Sequence, residues 1–193
     1  VTRPEDARAA ASLGAWAIGM ILSRRGPRFL ERERAAEVRA AIPPGVLAAG
    51  VFVDEDGATI EEAARALRLD LVQLHGSESP ALLGGLSVPA IKAFPVGAAA
   101  PDLAPWSACW GALLEGAERG RPFDWKLARG LGAPGGRLLV AGALDATNAA
   151  RAILAARPFA LDVSSGVELR PGEKDPSKLE AFFAAVAGAK ESP

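Results

Sequence analysis

Four titratable side chains and two clusters of small residues stand where apolar runs of the chain end. Together they have the chemistry to handle a phosphorylated substrate. Glu115 follows the apolar run 108–114. A carboxyl losing water there rises in pKa and suits general-acid work; a solvated loop glutamate is the alternative. His75 ends the run 69–74 and reads as a catalytic imidazole or as a loop residue satisfied by backbone. Asp162 is embedded in the run 159–163. An unpaired buried acid is costly, so Asp162 should orient a substrate amine or hydroxyl, or bind a neighbouring backbone group. Arg28, after Gly26-Pro27, can clamp a carboxylate in a two-bond fork or be a surface arginine. Gly142-Ala143 and Ser164-Ser165-Gly166 end two further runs. Small residues let backbone N–H groups approach an oxyanion closely, so both are candidate phosphate loops; two ordinary tight turns are the alternative.

These positions need a frame that brings run ends together. Seven apolar runs, at 15–22, 46–53, 69–74, 88–94, 108–114, 138–141 and 159–163, alternate with helical patterns. That rhythm predicts βαβ units and a parallel sheet. Helices are expected over 2–13, with Thr2 and Glu5 as a capping box, over 31–41, over 59–67 capped by Thr59 with Glu62, over 123–131, and over 146–155 capped by Asp145. A short helix is expected at 79–83, a weak one within 95–107, and a last one from Asp175-Pro176. In that last helix Leu179, Phe182, Phe183 and Val186 fall on one apolar face. Polar loops fill 23–27 and 115–122. Eight strand–helix units make a (β/α)8 TIM barrel, whose chemistry sits at the C-terminal strand ends, with phosphate commonly bound after the last two strands. This chain has seven strands and one helix before the first, as though strand 1 were cut away. The α/β reading is therefore a single (β/α)8-barrel domain over 1–193 lacking its first strand.

Composition narrows the function. The chain has 193 residues, 22 Lys plus Arg against 23 Asp plus Glu, and a net charge of −1. Binding of nucleic acid or an anionic membrane by bulk charge is excluded. One Cys and one His rule out a disulfide scaffold, a Cys-rich zinc module and a multi-His metal site. No Gly-x-Gly-x-x-Gly follows a strand, which leaves a dinucleotide fold unsupported. No apolar stretch reaches membrane-spanning length and no signal peptide is visible, so a cytoplasmic protein is expected. Cys109 reads as a small buried hydrophobe at the non-catalytic end of its strand. The four Trp residues read as scattered packing with no stacking platform.

Several motifs run in one order along the chain: Thr2-Arg3-Pro4-Glu5-Asp6-Ala7, Gly50-Val51-Phe52-Val53, Gln73-Leu74-His75-Gly76, Ile91-Lys92-Ala93-Phe94, Phe123-Asp124-Trp125, Arg157-Pro158-Phe159 and Asp162-Val163-Ser164-Ser165-Gly166-Val167-Glu168. On these motifs the chain resembles the phosphoribosylanthranilate isomerases of tryptophan biosynthesis. The resemblance implies an aldose–ketose isomerase, an intramolecular oxidoreductase, that performs an Amadori rearrangement of N-(5-phosphoribosyl)anthranilate without cofactor or metal. It implies that Glu115 stands where the family has an aspartic acid that protonates the ribose ring oxygen. Arg28 would meet the anthranilate carboxylate, Asp162 the amine and sugar hydroxyls, and His75 the substrate. Gly142, Ala143, Ser164, Ser165 and Gly166 would hold phosphate. The family's strand before Thr2 carries Lys-Ile-Cys-Gly, whose Cys takes the C2′ proton; here Val1 alone precedes Thr2, and Cys109 cannot replace that Cys. A small phosphorylated substrate, a monomer or homodimer, and no nucleic-acid or membrane partner are implied. The other expectation is a non-catalytic relic, a module of the same fold that binds a phosphorylated ligand without turnover.

Overall fold

All seven apolar runs form strands of one parallel sheet. The structure, a computed structural model, describes residues 1–24, 26–118 and 120–190; Arg25 of the polar turn and Arg119 of the charged loop lie outside the described residues. The strands are β1 (Ala17–Ile21), β2 (Leu47–Phe52), β3 (Leu71–Leu74), β4 (Ala90–Val96), β5 (Gly111–Gly116), β6 (Leu138–Val140) and β7 (Ala160–Leu161). They pair in chain order from β1 to β7. Long helices connect only some of them: α1 (Pro4–Ser12) precedes β1, α2 (Arg32–Ala41) and α3 (Gly57–Leu67) flank β2, α4 (Ala149–Ala156) precedes β7, and α5 (Pro176–Lys190) follows it. Between β3 and β6 the connections carry short 3₁₀ turns, at Pro80–Gly85, Ala104–Trp106, Trp125–Ala128 and Pro134–Gly136. The helix expected over 123–131 contracts to one such turn, and a hairpin of β8 (Glu168–Arg170) and β9 (Glu173–Lys174) follows β7.

The sheet has two apolar faces because side chains alternate along each strand. Ala49, Leu71, Ile91, Ala93, Leu113, Leu139 and Ala141 form one cluster. Strand residues of the opposite parity, including Val72, Leu74, Leu114 and Val140, join a larger cluster with Val38, Ile60, Leu179 and Phe182 of the helices. The sheet is therefore curled, with the first cluster inside and the helices outside. Contacts between the two ends of the sheet confirm the curl. Arg28, after β1, pairs with Glu168, after β7. The backbone N–H of Lys174 donates to Asp6 at 3.0 Å, and the Thr2 hydroxyl donates to the Gly172 carbonyl.

Several caps differ from expectation. Thr2 and Glu5 form no capping box: Arg3 is the N-cap residue of α1 and makes no side-chain capping bond, and the Thr2 hydroxyl is spent on Gly172. Asp56, three residues before Thr59, caps α3 by accepting from the Thr59 N–H at 2.9 Å. Asp145 accepts from the Thr147 N–H at 2.7 Å, and α4 starts only at Ala149. Asp175 does accept from Ser177 N–H at 2.9 Å, as the last helix start predicts. The Trp residues pack as expected, Trp106 within the outer core and Trp125 against it, but they are not all scattered. Trp16 stacks on Trp110 at 5.6 Å, and Phe159 meets both edge-on. These three rings precede β1, β5 and β7, so the curl gathers them at the N-terminal end of the sheet, where Trp16 and Trp110 pack against the inner cluster.

Candidate active site

Strand alternation selects which strand-end residues enter the site. Gln73 and His75 share the inward parity of Leu71, Glu115 that of Leu113, and Asp162 that of Ala160, all residues of the inner cluster or packed against it. The register aligns Glu115 with Pro95 on β4 and brings its side chain toward β3. There His75 Nε2 lies 2.5 Å from Glu115 Oε1, and His75 Nδ1 lies 2.9 Å from the side-chain nitrogen of Gln73. Both partners of this pair are partly exposed, His75 at 26% and Glu115 at 33%, so the pair sits at a mouth open to ligand. Burial works against charging His75, but the hydrogen bond and negative charge of Glu115, helped by Asp162, outweigh it and raise its pKa. Asp162 is half-buried, and its carboxylate makes no hydrogen bond among the described residues. Burial and then the charge of Glu115 raise its pKa against the opposing pull of His75 and Lys174.

The small-residue loops meet beside this group. Gly142 adopts φ +86° and Ala143 φ +51°. A side chain at Gly142 would come within 2.9 Å of the Gly116 backbone N–H, so close approach to β5 requires glycine there. A Cβ on Gly166 would overlap the Leu144 carbonyl, which locks the loop after β7 against the loop after β6. Asn148 ties the second loop by donating to the Ala143 carbonyl at 2.8 Å. Among the described residues, the backbone N–H groups of Gly142, Ala143, Ser164, Ser165 and Gly166 have no protein acceptor. Unpaired backbone N–H groups in small-residue loops are what an oxyanion needs.

Arg28 is placed differently from a free clamp. Its Nε and Nη2 bind the two oxygens of Glu168 at 2.8 and 2.6 Å, so the fork expected for a substrate carboxylate is occupied by protein. Nη1 has no partner among the described residues and offers its N–H groups to a ligand. Glu168, 5% exposed at its side chain, also receives Lys174 Nζ at 3.4 Å. Burial alone would raise its carboxyl pKa, yet Arg28, Lys174 and the Gly172 N–H hold it below the usual value.

Lys92 has outward parity and stays out of the site. Its Nζ donates to the carbonyls of Leu74 and Gly76 at 3.3 and 2.6 Å and to Glu78 at 3.0 Å. Glu78 in turn accepts from the N–H groups of Gly76 and Asp54. This pair fixes the turn that carries His75. Gln73, Glu78, Glu168 and Lys174 were not singled out as site residues from the sequence. Gln73 was within reach of such reasoning, since two residues before His75 on a strand is the same face; Glu78 acts through the neighbouring strand β4, Lys174 through its hairpin partner Glu168, and Glu168 through Arg28, a contact the curl creates. Cys109 is buried ahead of β5, at the opposite end, and burial pushes its thiol up to about 11. Among the described residues no group of three His, Cys, Asp or Glu could hold a metal ion.

The model of the family described as N-(5'phosphoribosyl)anthranilate (PRA) isomerase matches residues 1–185. The chain belongs to the N-(5'-phosphoribosyl)anthranilate isomerase family. A relative of that name from Acidithiobacillus ferrooxidans is 44% identical over 198 residues, covering 97% of this chain and 95% of its own. The crystal structure of phosphoribosyl anthranilate isomerase from Thermus thermophilus superposes with a TM-score of 0.88 at 36% identity, covering 97% of this chain and 96% of that one. A second isomerase structure of this family, in complex with reduced 1-(o-carboxyphenylamino)-1-deoxyribulose 5-phosphate, gives a TM-score of 0.83 at 31% identity, with 97% and 95% covered. The curled parallel sheet of this chain thus matches the (β/α)8 barrel of the isomerase family. No helix among the described residues is long and apolar enough to cross a membrane.

Proposed function

We propose that this chain catalyses the Amadori rearrangement of N-(5-phosphoribosyl)anthranilate to 1-(o-carboxyphenylamino)-1-deoxyribulose 5-phosphate, a step of L-tryptophan biosynthesis. One observation supports it most: a histidine-bound carboxyl and two loops of unpaired N–H groups share one end of the curled sheet in a chain of this family. The phosphate anchors on Gly142, Ala143, Ser164, Ser165 and Gly166. Arg28, held by Glu168, offers Nη1 to the anthranilate carboxylate. Glu115 gives its proton to the ribose ring oxygen while the anthranilate nitrogen lone pair forms a C=N bond at C1′, so the C1′–O bond breaks. The positive charge that develops on that nitrogen lies where Asp162 can stabilise it. A general base that is not among these residues then takes the C2′ proton; the C2′–H electrons form a C1′=C2′ bond as the C=N electrons return to nitrogen, and the resulting enolamine takes a proton at C1′ while its C2′ hydroxyl loses one, giving the ketone. His75 binds Glu115 and lines the substrate space. We assign the reaction to a single barrel domain over 1–193, acting on a soluble phosphorylated substrate in the cytoplasm as a monomer or homodimer.

The test is loss of the fluorescence of N-(5-phosphoribosyl)anthranilate when it meets the full-length protein. Turnover supports the isomerase. Saturable binding of the reduced product analogue with no turnover moves the protein to the relic reading.

A further inference from the structure

We propose that Gln73 is a positioning residue: it fixes the proton pattern of His75 and, through it, the oxygen of Glu115 that carries the acid proton. The inference rests on Glu115 as the proton donor and adds how its proton is aimed.

An amide nitrogen only donates, so the nitrogen of Gln73, 2.9 Å from His75 Nδ1, requires Nδ1 to accept. A neutral imidazole then keeps its one proton on Nε2, which points at Glu115 Oε1 from 2.5 Å. Oε1 is thereby engaged as an acceptor. Oε2 has no partner among the described residues, so a protonated Glu115 carries its hydrogen on Oε2. Gln73 is well suited to hold this pattern. It is 8% exposed and sits within β3, paired in register with Val51 of β2 and Ile91 of β4, which leaves its side chain little freedom. The reversed amide would turn a carbonyl toward Nδ1 and favour a doubly protonated ring, and with it an ionised Glu115 that has no proton to give. The charges acting on His75 come from Glu115 on β5, Asp162 after β7 and Lys92 on β4; Gln73 adds none, and so selects a tautomer without adding a charge.

The chain has a single His, so the long-range ¹H–¹⁵N spectrum of the imidazole reports this site alone. The experiment records that spectrum across pH, with kcat and KM, for the full-length protein and for Gln73→Met and Gln73→Glu. Above the His75 titration the wild type should show a bare Nδ1 and a protonated Nε2. Gln73→Met should mix the tautomers and lower kcat about tenfold while KM changes by less than about threefold, because an interaction made in the transition state is lost. Gln73→Glu should raise the His75 pKa by about one unit or more, since a carboxylate accepts from Nδ1–H. An Nδ1–H tautomer in the wild type overturns the proposal. So does an unmixed Nε2–H tautomer in Gln73→Met, or mixed tautomers with wild-type kcat. Should Gln73→Met fail to fold, an unmoved His75 pKa in Gln73→Glu overturns it alone. Failure of the underlying reading shows separately, as full turnover by Glu115→Gln while the wild-type protein still shows the bare Nδ1 and protonated Nε2.

Discussion

Glu115 concentrates the chemistry at the scale of single residues. It is one methylene longer than the aspartic acid the family resemblance leads one to expect, and His75 takes up one of its oxygens. The longer side chain is thus tethered at a defined distance, where a free one would lose placement. Glu115→Gln keeps the shape and removes the proton. Its kcat should fall ~100-fold or more, the range for loss of a general acid, with KM and binding of the reduced product analogue little changed. Unchanged kcat would take Glu115 out of the acid role. Arg28 shows the opposite case. The sequence marked it as a carboxylate clamp, and the structure spends its fork on Glu168. No local pattern could announce that pair, because 140 residues separate its members.

Turns and strand ends form the next scale. The turn after β3 is held by the buried Lys92–Glu78 pair, with side chains 6% and 2% exposed. Removing one partner of a buried pair leaves an uncompensated charge and costs about 3–5 kcal/mol. Glu78→Ala should therefore lower urea stability by roughly that amount and loosen His75, seen as weakened turnover in the protein that remains folded. Wild-type stability would show that the turn holds without the pair. The two small-residue loops depend on each other through Gly166, where any Cβ meets the Leu144 carbonyl. Gly166→Ala should separate them and weaken binding of inorganic phosphate and of the phosphorylated product analogue, measured by calorimetry. Equal affinity would remove these loops from the phosphate role. The capping expectations for Thr2, Thr59 and Asp145 failed at this same scale, while that for Asp175 held. Ser, Thr and Asp side chains have several backbone partners within reach, and tertiary neighbours decide among them, as the Gly172 carbonyl does by accepting from the Thr2 hydroxyl.

Over the whole molecule, charge pairs close the curl and give it a pH dependence. Glu78 and Glu168 both have carboxyl pKa values held below their ordinary 4.5. Burial opposes the shift in each. For Glu78, Lys92 and backbone donors overcome it; for Glu168, Arg28 and Lys174 do. A depressed carboxyl contributes stability that is present above its unfolded value and lost as pH falls through the folded one. Urea midpoints should thus drop as pH falls below 4.5, and Glu168→Gln should flatten that fall. An unchanged acid limb in the variant would mean the pair does not close the molecule. His75 runs the other way. Its raised pKa contributes stability below 6.5 that is lost as pH rises through the folded value.

The seven strands, their parallel order and the last helix were legible in the sequence, because burial on both faces leaves apolar runs and an amphipathic helix leaves a spaced stripe. Glu115, His75, Asp162 and the two small-residue loops could be marked as strand-end groups for the same local reason. Only the tertiary structure decided which of them meet. Strand register and curl set His75 against Glu115 across 40 residues, gave Arg28 to Glu168 and stacked Trp16 on Trp110. Side-chain periodicity records which face a residue takes. It carries no record of the curvature that brings distant strands onto one site.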